Sequence, residues 1–517
     1  MKKLKNIIDV GRGIAPGDLL LKNCRIVNLF AHTIEEANVV IAHKKIAGVG
    51  DYHEAKEIVD LKGAYLLPGF MDAHVHVESS MLTPFEFAKA VVPLGVTSAI
   101  VDPHEIANVL GHDGIKFMLE SSKNNHISLY FMLPSCVPAT HLETSGATLL
   151  AYFIHEKWVK GLGEVMNYPG VLYKDEEVLR KIQISKMKAR DGHAPGLSGR
   201  DLNAYIAAGI STDHECFTRE EAREKLSRGM RILIREGSGA KNLDELIGLV
   251  TPENCSRFLL CTDDRHPEDL VNREHINLSI RRAMEHGVDP ICAIKMATLN
   301  VAEHYNIPRK GAIAPGYWAD MVVVDDLKKF DIEQVYRSGE LIARGYEFVA
   351  EAKGEHRIKL RGTVNVGHFD VAKLRVRDEG TPMRVIEIVP DQLITRGVME
   401  RPSRIDSEGY VESDTEADLL KIAVVERHLA TGNVGVGFVR GFGLKRGAIA
   451  STVAHDSHNI IVVGTNDSDM ELAVRELVRS QGGKIVIADG EVTAILPLPI
   501  RGLMSRSRDR RVPEERA

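Results

Sequence analysis

The chain has 517 residues, 44% of them hydrophobic and 27% charged, the balance of a folded globular protein and not of a disordered one. That length exceeds one ordinary core, so two or more domains are expected, one of them large enough to be an α/β barrel. With 66 basic against 72 acidic residues the net charge is −6, which gives no electrostatic basis for nucleic acid or an anionic membrane as a partner.

The opening Met1-Lys-Lys-Leu-Lys is basic but leads into no long apolar segment of a secretory leader. Residues 18–30 and 37–50 then read as short strands with β-branched residues at alternating places, and a similar pattern returns at 318–325 and 334–343. Two strand-rich pieces bracketing a long middle section predict one small β domain, sandwich-like, built from residues 1–65 and 306–354. The middle, 66–305, alternates strand and helix patterns, with strands predicted at 65–71, 96–102, 127–133, 159–164, 188–193, 210–214, 231–235 and 258–263. Amphipathic stretches at 84–92 and 219–228 fall between them. Eight strands in that rhythm predict a (β/α)8 barrel. A doubly wound open sheet is the alternative, but no Gly-rich phosphate loop follows the first strand.

From about residue 355 to 517 the pattern predicts a separate α+β domain, with hairpin-like strands, a helix around 416–431, a Gly-rich run at 432–447 and a helix near 469–481. Residues 505–517 are rich in Arg and Glu and read as frayed. No run reaches the roughly 18 apolar residues of a membrane span. The six cysteines are scattered without a C-x-x-C pair, which reads as reduced thiols and a cytoplasmic address.

The strongest local signal is Pro68-Gly-Phe-Met-Asp-Ala-His74-Val-His76-Val-Glu78. Residues two apart on a strand point the same way, so His74 and His76 present two imidazoles at the strand's end. Other predicted strands also finish in potential ligands: Glu164 on the fourth, His193 on the fifth, His214 on the sixth and the Asp263-Asp264 pair on the eighth. Barrel enzymes place their chemistry at the carboxyl ends of the strands. Four imidazoles and two carboxylates there suit one or two divalent first-row metals with a position open for water. By position Glu164 suits a bridge between two ions, and Asp263 suits a ligand that also accepts a proton, so Asp263, Glu164 and His214 are the catalytic candidates.

The Pro-Gly-Phe-Met-Asp-Ala-His-Val-His run, together with Gly311-Ala-Ile-Ala-Pro-Gly-Tyr-Trp-Ala-Asp-Met-Val, resembles the amidohydrolase superfamily. Four longer strings, starting at His74 (His-Val-His-Val-Glu-Ser-Ser-Met), Val101 (Val-Asp-Pro-His-Glu-Ile-Ala-Asn-Val), Gly163 (Gly-Glu-Val-Met-Asn) and Ala448 (Ala-Ile-Ala-Ser-Thr-Val-Ala-His-Asp-Ser-His-Asn), are similar to the adenine deaminase family within it. The resemblance implies a (β/α)8 barrel, a flanking β domain, a distinctive C-terminal domain and hydrolysis of adenine to hypoxanthine and ammonia by a metal-activated hydroxide, a purine-salvage reaction. It maps His74, His76, Glu164, His193, His214 and Asp263 onto metal-ligand positions of a binuclear site of manganese or iron, and it implies a homodimer. Glu78, His104, Glu105, Glu215 and Asp264 are candidates for lining the purine pocket or moving protons, with helix capping or support of the ligands as the alternative. His455, Asp456 and His458 are candidates for a lid or a further ion, against an ordinary polar turn. The family's C-terminal domain continues beyond the string ending at Ser505, so a shortened domain is expected here. Another amidohydrolase activity (deacetylation or cyclic-amide hydrolysis) and a non-catalytic scaffold are the rival readings.

Overall fold

The computed structural model describes residues 1–137, 150–351, 362–390 and 395–506. Strands from both flanks of the chain join in one nine-stranded sheet, and they meet where Met321–Val324 pairs antiparallel with Tyr65–Pro68, Val322 opposite Leu67. The strand expected at 37–50 is two strands, Thr33–Ala42 and Lys45–Gly50, folded back at His43 and Lys44, whose φ angles are 51° and 72°. A two-residue hairpin requires that left-handed pair whatever the side chains, and His-Lys carries no turn signature. The stretch expected at 334–343 divides the same way at Ser338 and Gly339 into Ile332–Arg337 and Glu340–Arg344.

The stretch expected as one strand at 65–71 is also two. Tyr65–Pro68 belongs to the flanking sheet, and after Gly69 the chain enters the first strand of the middle section, β1 (Phe70–His76). There follow β2 (Val96–Val101), β3 (Ser128–Leu133), β4 (Val159–Val165), β5 (Ala189–Gly192), β6 (Thr212–Asp213), β7 (Arg231–Arg235) and β8 (Phe258–Cys261). Strands β1 to β5 form one curled parallel sheet, and β6, β7 and β8 form another. Two junctions connect them. Asp263–Asp264, just past β8, pairs in parallel with Val75 and His76 of β1, and the Ser211 N–H donates to the Arg190 carbonyl between β5 and β6. The result is a TIM-like barrel. Its strands are covered on both faces, as β2 and β3 show, buried at every position, their few polar residues (Thr97, Ser98, Ser128) included. Crossover helices are capped by the local sequence: Thr218 accepts the Glu221 N–H at the start of Arg219–Ser227.

The C-terminal part holds an eight-stranded sheet with the helix Asp467–Ser480 laid across it, Met470, Ala473, Val474 and Leu477 packing on Ala450, Val462 and Ile485. The helix expected around 416–431 is a strand, Leu419–Val425, held between Val434–Arg440 and Ile460–Gly464. Its run Leu-Leu-Lys-Ile-Ala-Val-Val is too short to separate the two periods by sequence, and pairing on both edges decides it. Of the frayed end expected at 505–517, Ser505 is instead held by the backbone of Met81 and Thr83, and 507–517 lie outside the described residues. No helix among the described residues is long and apolar enough to cross a membrane.

Candidate metal centre

The barrel brings the six expected ligands to one point at the carboxyl ends of its strands. β1 ends in His74 and His76, whose Nε2 atoms lie 3.2 Å apart. Glu164 of β4 reaches between the imidazoles: its Oε1 is 3.4 Å from His74 Nε2 and 3.0 Å from His76 Nε2. Its Oε2 is 2.8 Å from His193 Nδ1 and 3.2 Å from His214 Nε2. Asp263 closes the ring, its Oδ1 3.0 Å from His76 Nε2 and 3.5 Å from His74 Nε2. His193 is half-buried and the other five are buried, so the centre opens on the His193 side.

Local chemistry orients each group. His76 Nδ1 donates to the Asp102 carbonyl at 2.8 Å, so the ring turns the lone pair of Nε2 toward Glu164 and Asp263. The Asp102 carboxylate accepts the Glu164 N–H at 3.2 Å. A Cβ on Gly163 would overlap that carboxylate, so the position before Glu164 must be glycine. Asp263 sits at φ 59°, a left-handed conformation uncommon outside glycine and frequent in functional sites. Past β5 and β6, Lys225 ties the loops that carry His193 and His214, donating to the Ala194 carbonyl at 2.7 Å and to Asp213 at 3.0 Å.

Burial opposes ionisation throughout the cluster, yet charge complementarity prevails. Glu164 is held well below the usual carboxylate range against burial, by His104, His193, His214 and His74. Burial pushes the His74 imidazole down, but Asp263 and Glu164 reverse this and raise it to about 10. Asp263 is held low against burial, first by Arg235 and then by His74 and His76.

The remaining candidates surround this ring. His104 follows β2 in the helix α1 (His104–Leu110), packs its ring on His76 at 4.4 Å between centroids and places Nδ1 3.3 Å from Glu164 Oε1. Glu105 turns away from the ring toward the C-terminal sheet, where it meets His455 and His458. Glu78 accepts the Ile106 N–H at 3.2 Å in the first turn of α1, and burial pushes its carboxyl up to about 7. Glu215 lies 3.6 Å from His214 and beside Arg235. Asp264 accepts from the Ser79 hydroxyl, which sets it apart from the ring that Asp263 joins. Asp456 stands 3.8 Å from His104.

Arg235 is the residue that sequence reasoning missed. It ends β7 and its Nη1 donates to both Asp263 and Glu215. The strand-end criterion that selects Glu164 and His214 selects it too, once cations are sought as well as ligands.

The donor set fits divalent cations. His74, His76 and Glu164 offer three ligand atoms within 4.8 Å of one another, and so do Glu164, His193 and His214, with Glu164 common to both sets. Glu164 Oε1 and His214 Nε2 are enclosed without a hydrogen-bond partner, although aimed at the same place. Enclosed polar atoms without partners are rare in folded proteins, and a shared cation satisfies both.

The chain is similar to known proteins along nearly its whole length. The amidohydrolase family model matches residues 65–342, and the model described as the adenine deaminase C-terminal domain matches 392–516. The adenine deaminase of Kosmotoga olearia is 47% identical, over 98% of this chain and 89% of the relative. Adenine deaminase 2 of Carboxydothermus hydrogenoformans is 48% identical, again over 98% and 89%. Among solved structures, the β-aspartyl dipeptidase of Fervidobacterium islandicum aligns with a TM-score of 0.49 and 19% identity, over 65% of this chain and 99% of that one. Matched by family models in both its barrel and its C-terminal part, and by curated relatives along nearly its whole length, the chain belongs to the adenine deaminase family of the amidohydrolases.

Proposed function

We propose that this chain hydrolyses adenine to hypoxanthine and ammonia at the barrel mouth, as a purine-salvage enzyme of the cytoplasm. The observation that carries the reading is the convergence of His74, His76, Glu164, His193, His214 and Asp263 in a chain whose relatives are adenine deaminases. We read the chain as a β domain of residues 1–65 and 306–354, a (β/α)8 barrel of 66–305 and an α+β domain of 355–517, working as a homodimer.

His74, His76, Glu164, His193, His214 and Asp263 would hold two divalent cations, manganese or iron, with Glu164 shared between them. Cations there supply a water acidified toward pKa ~7 and polarise the electrophile. The reaction adds a water oxygen to the purine C6, moves the water's proton, and releases the exocyclic nitrogen as ammonia. Asp263 is built to take that proton. One of its oxygens is anchored by Arg235 while the other faces the imidazole ring of ligands. Anchoring fixes the carboxylate within reach of one proton, the geometry that general-base catalysis needs. Glu164 and His214 hold the centre's charge and shape around it. Enclosure of five of the six groups excludes bulk water from their electrostatics.

The test is ammonia release from adenine by purified protein, with and without manganese, beside a panel of dihydropyrimidines, hydantoins and N-acetylated amines. Adenine is the expected substrate. Replacing Asp263→Asn should lower kcat by at least ~100-fold, the usual contribution of a positioned base. Near-wild-type deamination by metal-loaded Asp263→Asn, or turnover of the panel in preference to adenine, ends this assignment.

A further inference from the structure

After the strand Ala448–Ser451, residues 452–459 leave the C-terminal sheet and return in Ile460–Gly464. This excursion ends on the barrel. His455 Nδ1 meets Glu105 Oε1, and His458 Nε2 meets Glu105 Oε2. The same Glu105 Oε1 is 3.3 Å from His104 Nε2, while Nδ1 of that ring is 3.3 Å from Glu164 Oε1. A continuous file of polar groups therefore runs from the C-terminal sheet to the carboxylate at the heart of the metal centre.

Glu105, His455 and His458 have the composition of a further cation site, with three donor atoms within 4.8 Å. Hydrogen-bond direction argues otherwise. The Ala454 N–H donates to His458 Nδ1 at 3.1 Å, so that nitrogen carries the lone pair. A neutral ring then has its proton on Nε2 and donates it to Glu105, leaving no lone pair for an ion.

The excursion is braced from behind. Arg427 is wholly buried, and its guanidinium donates to the carbonyls of His458, Thr452 at 3.3 Å and Arg501 at 3.0 Å. A second attachment reaches the loop after β1. The Ser505 N–H donates to the Met81 carbonyl at 2.8 Å, and the Thr83 N–H donates to the Ser505 carbonyl at 3.3 Å. Segments flanking the C-terminal sheet thus grip the chain that follows both β1 and β2.

We infer that the C-terminal domain is a working part of the active site: His455 and His458 are positioning residues that clamp Glu105, and Glu105 sets the His104 ring against Glu164. This rests on the deaminase reading above and gives the C-terminal domain its task within it. With the clamp released, His104 is free to rotate and withdraw Nδ1 from Glu164. Chemistry then suffers more than adenine binding, because the ligands themselves are untouched.

The test compares His458→Phe, His458→Gln, His455→Ala and Glu105→Gln with wild type. Three quantities are measured: steady-state kinetics on adenine, manganese equivalents per chain, and hydrogen–deuterium exchange over residues 451–459. Loss of a partner that orients groups at a metal centre costs about 10–100-fold, so His458→Phe should lose that much in kcat with KM and manganese content near wild type. His458→Gln, whose amide N–H can replace Nε2–H, should recover most of the rate. Exchange over 451–459 should rise in Glu105→Gln. Wild-type kcat in His458→Phe overturns the inference, and so does a third manganese equivalent that vanishes in that variant. If His458→Phe fails to fold, the partly exposed His455→Ala decides, with wild-type kcat again the overturning result. A wild-type enzyme inert toward adenine refutes the function reading separately, and the exchange measurement alone then tells whether the clamp exists.

Discussion

Replacing Arg235 by Met removes a guanidinium that donates to Asp263 and Glu215 at once. The three side chains are between 4% and 8% exposed, so water screens little of the interaction. Removing one partner of a buried ion pair costs about 3–5 kcal/mol, because the other charge stays buried. Here two carboxylates are stranded together, which places the expected loss in the upper half of that range and lowers the melting temperature on the order of 10 °C. The pH dependence has a definite sign. Asp263 is depressed in the fold against burial, with Arg235 first among the groups that lower it. A depressed carboxylate stabilises the fold above its unfolded pKa, and that stabilisation is lost as pH falls through the folded value. Without Arg235 the folded value rises, so less stabilisation is present at neutral pH and acid unfolding starts at higher pH. Arg235→Lys, which keeps the charge but not the rigid planar guanidinium whose Nη1 meets both carboxylates, should fall between. Thermal melts of manganese-loaded and chelator-treated proteins from pH 5 to 8 measure all of this, and the deficit should widen on chelation. If Arg235→Met melts with the wild type at neutral pH and shows the same acid limb, the electrostatic account of Asp263 is wrong.

Lys225→Met strands Asp213 and frees the loops that carry His193 and His214. Denaturant unfolding should show a loss of about 3–5 kcal/mol, and a manganese titration should show affinity down ~10–100-fold. Undiminished affinity in a folded Lys225→Met would separate those loops from the metal centre. Gly163→Ala drives a methyl into the Asp102 carboxylate that accepts the Glu164 N–H. Overpacking of that kind costs about 1–3 kcal/mol, and here it should displace Glu164 and lower both manganese occupancy and kcat. Full occupancy with a wild-type melt would show that the contact yields freely.

What the sequence made legible was governed by parity and strand length. An apolar run that must be buried fixes where a parallel strand ends, and alternation fixes which side chains point inward, so His74, His76, Glu164, His193, His214 and Asp263 could be picked out one strand at a time. Arg235 obeys the same geometry, but a search for ligands does not select it because an arginine is no ligand. The stretch at 419–425 reads as helix because six apolar residues around Lys421 satisfy either period, and only the strands on both its edges settle the matter. The hairpin at His43-Lys44 was invisible for the opposite reason. Its positive φ angles are imposed by the two strands it joins and not by its own residues. Lys225 reads as one more charge on an amphipathic helix until the fold places Asp213 and the Ala194 carbonyl around its ammonium.

Histidine roles lie beyond the reach of any such pattern, because they are set by the partner of the second ring nitrogen. His76 and His458 both lie in His- and Ser-containing strings, and both point Nε2 at buried carboxylates. His76 meets a carbonyl at Nδ1, contributed by Asp102 just past the neighbouring strand, so its proton is drawn there and Nε2 keeps its lone pair. His458 meets a peptide N–H at Nδ1, from Ala454 within its own turn, so its proton is driven to Nε2 and the ring becomes a donor. The backbone thus leaves Nε2 of one imidazole free for the proposed cation and commits Nε2 of the other to Glu105. On that basis the inferred stoichiometry is two cations per chain, and the second carboxylate–imidazole cluster belongs to the union of the two domains.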